Sequence, residues 1–126
     1  MKKNLVIISL LVISAFAANA QSVVAKREFN NTLKAYFEAK NALAKDNAVQ
    51  ASESVKTLVK NIEEFPVKTL SATQQTLWKT ESETIKKAAL AISTEKAIKV
   101  QRNSFWPLSS AMLKLPNGEE KLVKRS

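Results

Sequence analysis

Gln101 and Arg102 are the first residues in this chain whose types and placement call for a chemical explanation. The amide falls on an apolar run, Ile98, Phe105, Leu108, Met112 and Leu115, spaced in threes and fours, and a guanidinium stands beside it. At the boundary of a helical bundle an Arg buries its stem and carries its head to a carboxylate or to the carbonyls at a helix end. That structural role is the expected one. Trp106 adjoins Phe105 and cannot share its helix face, so it should stand outward, and Arg102 and Trp106 together form the candidate contact surface. The other aromatics, Phe29, Tyr36, Phe37, Phe65, Trp78 and Phe105, fall mostly on inward stripes and are expected in the core.

Reactive chemistry is largely excluded by composition. The 126 residues contain no Cys and no His, and only two Met. Zinc sites draw mainly on Cys and His, soft copper sites on Cys and Met, and haem on axial His, Met or Cys. Cysteine nucleophiles are excluded and a serine triad has no base. Glu63 with Glu64, Glu81 with Glu83, and Glu119 with Glu120 are adjacent or two apart, which on a helix points them in different directions. The sequence therefore predicts no catalytic residue, no cofactor and no metal site, and no enzyme.

One Gly and three Pro, with abundant Ala, Lys, Leu and Glu, favour long helices. Phe29, Leu33, Tyr36 or Phe37, and Leu43 follow one face of a first helix that runs to about Lys45, where Asp46 serves as the next N-cap. Val55, Leu58, Val59 and Ile62 mark a second helix from about Asn47 to Glu64, ended by Pro66. Ser71 with Gln74 is a capping-box signature for a third, with Leu77 or Trp78, Ile85, Ala88 or Ala89, and Ile92 inward. Ser93 or Thr94 should cap the fourth helix, which carries the Gln101 run with Phe105 at its centre. Pro107 lies inside it, so the helix either kinks near residues 103–106 or restarts there, and the unbroken phase of the apolar spacing favours the kink. Pro116-Asn117-Gly118 closes it. The expected fold is all-α, an antiparallel four-helix bundle with the last helix kinked near Pro107.

At the N-terminus, Lys2 and Lys3, the apolar run Leu5 to Ala18, and Ala18-Asn19-Ala20 have the order of a secretory signal peptide. Cleavage after Ala20 is expected, and no stable membrane insertion should remain after it. The domain boundaries are then 1–20 for the signal, 21–116 for the bundle and 117–126 for a flexible tail. Lys2 and Lys3 leave with the signal, so 20 basic residues become 18 and the net charge falls from +9 to +7. A basic protein suits anionic partners. However, Lys34 and Glu38, Lys79 and Glu83, Glu83 and Lys87, and Glu95 and Lys99 are four apart, as on a solvated face with local pairing. Export also argues against nucleic acid.

Tyr36, Lys40-Asn41-Ala42-Leu43-Ala44-Lys45-Asp46-Asn47, Ala51 and Trp78, then Gln101-Arg102, Phe105 and Leu108-Ser109, resemble an uncharacterised bacterial domain family. The resemblance runs from about Phe29 to Leu115. Its members are exported helical domains of unknown function, found alone or joined to periplasmic adaptor subunits of copper and silver efflux systems. The resemblance implies a periplasmic bundle linked to heavy-metal handling, with an efflux adaptor or another envelope protein as partner. Many members continue into a segment with Cys-Pro-Met and a second Cys, which residues 1–126 lack, so no soft-metal site is implied within them. The functional expectation is a non-enzymatic module acting through protein contact. Direct copper binding and binding to anionic envelope surfaces are the alternatives.

Overall fold

The computed structural model describes residues 2–116, with side chains from Val23 onward. Its elements are α1 (Lys2–Ala44), α2 (Ala48–Glu64), a 3-10 turn (Val67–Thr69), α3 (Ala72–Thr94) and α4 (Ile98–Lys114), with no strand among the described residues. The helical bundle is thus all-α, as expected. The tail 117–126, and with it the stop at Asn117-Gly118, lies outside the described residues. Among residues whose side chains are described, no helix is long and apolar enough to cross a membrane.

α1 begins far upstream of Phe29 and passes through Ala20-Gln21, because no Gly or Pro interrupts residues 2–44. Two residues beyond its end at Ala44 stands a left-handed residue, Asp46, at φ 59°. Asp tolerates that conformation, but an N-cap needs extended backbone, so the cap passes to the next residue. Asn47 Oδ1 accepts from the Gln50 N–H at 3.0 Å, and Asp46 is not the cap that its position suggested.

The capping box at α3 forms as read, with Ser71 and Gln74 exchanging side-chain bonds to each other's N–H groups. Ser93 and Thr94, however, belong to α3 and donate back to Leu90 O, at 3.1 and 2.9 Å. Such back-bonding engages the hydroxyls and removes them as caps. The N-cap position of α4 falls to Ala97, which has no side chain to cap with, while Glu95 Oε1 ties down the link ahead of it by accepting from the N–H groups of Lys96 and Ala97 at 3.1 Å each. α4 is continuous through Pro107, so the helix does not restart there.

Side-chain pairs fix how the helices run. Asn61 Nδ2 donates to Asn31 O at 3.1 Å and the Phe29 and Phe65 rings meet edge-on, while Asn47 N–H bonds Ala42 O. α1 and α2 therefore run in opposite senses. α3 reverses again, placing Trp78 on Phe65 with ring centroids 4.1 Å apart and Ile92 O beside Ser52. Val55, Leu58, Ile62, Ile85, Ala89, Ile92 and Leu108 are closed to solvent and form the centre of the core. At roughly 1.5–3 kcal/mol per large apolar side chain, these contacts dominate stability.

α1 contributes differently from its expected stripe. Among its described side chains, Ala25, Thr32, Ala35, Ala39, Ala42 and Leu43 are buried, Phe29, Leu33 and Tyr36 are half-buried, and Phe37 is 50% exposed. Small residues let α2 approach closely, which pushes the large rings to the edge of the contact. Phe105 is half-buried rather than central. Trp78 and both Ala88 and Ala89 face inward, whereas Leu77 does not. The four spaced charge pairs do not form: among the described residues the ion pairs are Arg27–Glu28 and Arg102–Asp46. Solvated Lys and Glu gain too little from pairing to fix two long side chains.

Candidate functional site

α1 packs closely on α2, and α3 on both α2 and α4, but α1 and α4 meet sparsely. The bundle is open along that seam, which is bridged at three places. At one end the Arg102 guanidinium donates to Leu43 O from Nε (3.3 Å) and Nη2 (2.8 Å), and pairs with the Asp46 carboxylate. Midway, the Tyr36 ring stacks on Phe105, centroids 5.3 Å apart and planes within 9°. Beyond it, the hydroxyls of Tyr36 and Ser109 share a hydrogen bond of 2.8 Å.

Beside these bridges lies a largely apolar groove of about 350 Å³, lined by Lys40, Leu43, Ala44, Arg102, Phe105 and Trp106. Trp106 stands over it, 75% exposed, while Phe37 continues the apolar surface 5.4 Å from the Tyr36 ring. A ring of that size left in water is an unrealised source of binding energy. Arg102 takes the structural role expected of it, and its charge is spent on the C-terminal carbonyl of α1 and on Asp46. It frames the groove, whereas Trp106 presents the free surface.

The neighbouring amide organises the same end of the bundle. Gln101 is fully buried, and its Nε2 lies 3.0–3.1 Å from Ala48 O, Ser52 Oγ, Ile92 O and Glu95 O. Three carbonyls can only accept, so the NH₂ must face them, and two N–H groups are shared among four acceptors. Its Oε1 is buried with no hydrogen-bond partner. Gln101 thus joins the start of α2, the end of α3 and α4, holding α4 in the position from which Arg102 and Trp106 project.

Charge follows the same division. From Val23 to Ala44 and along α4 there are seven Lys or Arg against two Glu, and α4 itself has no acidic residue. α2 and α3 carry five of each sign. The groove therefore lies in the basic half of the molecule.

Other features offer less. The dimple over Trp78, about 540 Å³, is bordered by exposed or half-exposed Glu63, Gln75 and Lys79. An apolar hollow of about 340 Å³ between α2 and α3 has the aliphatic Leu90 at its edge but no aromatic ring. Among the described residues no three His, Cys, Asp or Glu converge. Met112 is buried in the core.

Of the site residues read from the sequence, Arg102 and Trp106 both line the groove. Lys40, Leu43 and Ala44 were not singled out as site residues, because no spacing rule places α1 against α4 across some sixty residues. A signal that could have found them was visible: of the residues that carry the family resemblance, Tyr36, Lys40, Leu43, Asp46, Arg102, Phe105 and Ser109 gather at this seam.

The model of the family described as "Protein of unknown function (DUF3347)" matches residues 32–121. The chain belongs to that family. No curated protein and no solved structure matches it.

Proposed function

We propose that this member of a family of unknown function is an exported, non-enzymatic docking module, which holds a protein partner in the groove between α1 and α4. The observation that carries this reading is Trp106, an indole 75% exposed beside an apolar groove. Indole side chains at the edge of an apolar hollow are common anchors of protein interfaces. The hydroxyls at the seam suit positioning rather than reaction. Tyr36 and Ser109 bond each other, and a serine needs an adjacent base to become a nucleophile.

The N-terminal pattern supports a periplasmic location, and the resemblance supports a role accessory to heavy-metal efflux, with an efflux adaptor or another envelope protein as partner. A photoreactive side chain placed at Trp106 in the native host tests the docking. Irradiation should give a discrete protein adduct that is missing when the same group replaces exposed Lys87 on α3. Equal patterns from both positions would refute a docking site at the groove. Fractionation of the same cells should recover the protein, beginning at Gln21, in the periplasm.

A further inference from the structure

We infer that the α1/α4 groove takes an amphipathic helix of a partner protein whose apolar face is bordered by carboxylates. The inference rests on the docking reading above and adds the chemistry of the occupant.

Shape comes first. Arg102 meets Leu43 while Ser109 meets Tyr36, so α1 and α4 lie antiparallel and leave a trough between two helical ridges. On α4, Arg102, Trp106 and Leu113 recur at four and seven residues, a line of about three turns or roughly 16 Å. Leu113 is 88% exposed, so the line stays apolar beyond the indole. A third helix seated between two others is ordinary ridge-and-groove packing, with about 8–10 Å between axes. An extended peptide has no sheet edge here to pair with, since the backbone groups of both walls are spent within their helices.

Charge then selects the occupant. Seven basic residues against two acidic ones on the α1/α4 half favour a ligand with carboxylates on its flanks, and Lys40 stands free at the rim. The same imbalance disfavours a second copy of this chain, because an isologous contact would set one basic face against another. An anionic bilayer would satisfy the charge but not the shape, since Leu43 and Phe105 are recessed between the ridges.

The test uses fluorescein-labelled synthetic helical peptides of fifteen residues, read by anisotropy against the purified protein. One has leucines on one face and glutamates on both flanks, and its twin has lysines in place of the glutamates. The glutamate peptide should bind with a dissociation constant of roughly tens of micromolar, and its twin about tenfold or more weakly. Lys40→Glu, an exposed change that leaves the core intact, should weaken the glutamate peptide by about three- to tenfold. Trp106→Ala should weaken it by about tenfold or more. Equal binding of the two peptides would overturn the inference and leave the docking reading standing. Binding of neither, together with tight association with vesicles of phosphatidylcholine and phosphatidylglycerol, would overturn both. Binding of neither peptide nor vesicles would overturn the inference, with the adduct at Trp106 deciding the docking reading separately.

Discussion

Along the α2/α3 contact, Val55, Leu58, Ile62, Ile85 and Ile92 are closed to solvent, and the helices carry balanced charge. Along α1/α4, Tyr36 and Phe105 are half-buried, Phe37 and Trp106 face water, and basic residues outnumber acidic ones. The first pair has closed its aliphatic stripes into the core and leaves Val49, Leu77 and Leu90 in water, but no aromatic ring. The second has kept part of its aromatic surface back, and it joins through a ring stack, a hydroxyl pair and one guanidinium rather than through interlocked aliphatic side chains. Stability and recognition therefore draw on different halves of the same small bundle, and substitutions should separate them.

The largest effect is expected in the closed half. Leu58→Ala should cost about 3 kcal/mol in urea or thermal unfolding, a large share of the ~5–15 kcal/mol that holds a domain together. Phe105→Ala removes a bigger side chain but a half-buried one, and should cost about 2 kcal/mol. Equal losses would erase the distinction between the halves.

Gln101→Leu comes next, at about 1–2 kcal/mol. It takes away the donor shared by Ala48 O and Glu95 O, and the unpartnered Oε1 that goes with it offsets part of the loss. A loss near zero would mean that the amide contributes nothing net to joining the halves. Arg102→Ala should cost about 1 kcal/mol or less, since the pair with Asp46 is largely exposed and only the bond to Leu43 O is sheltered. A double-mutant cycle with Asp46→Ala separates the two contributions, and a coupling much above 1 kcal/mol would move Arg102 into the stabilising half.

Trp106→Ala should shift the unfolding midpoint least, by no more than about 0.5 kcal/mol, while removing the adduct and the peptide binding. A large loss of stability would show the indole to be a core residue, and the contrast between the halves would fail.

Much of the bundle is legible in the sequence because three of its helices bury large aliphatic residues at helical spacing. Val55, Leu58 and Ile62, or Ile85 and Ile92, report their own direction. α1 is harder to read, since Ala35, Ala39 and Ala42 carry little hydropathy and the eye goes to the rings beside them. Linkers mislead for a local reason: Asp46, Ser93 and Thr94 are all good caps by type, but each is already engaged by the helix that precedes it. Within the site, the direction of Trp106 follows from its neighbour, and the destination of Arg102 from the chemistry of guanidinium. The wall contributed by α1 follows from neither, because which helices adjoin is decided by the packing of the whole chain.

The single amide at Gln101 also bears on the order in which the protein assembles. Its partners Ala48 and Ser52 lie 53 and 49 residues away, whereas Ile92 and Glu95 lie 9 and 6 away. The nearer bonds can form as soon as α3 and α4 fold back on each other, but the farther ones must wait until α2 is already in place. Bonds that form late act on the rate of escape from the folded state rather than on the rate of entry, whereas the nearer ones act on both. In stopped-flow experiments, Gln101→Leu should therefore raise the unfolding rate constants more than it lowers those of refolding, which makes this residue a bolt that is shot home last.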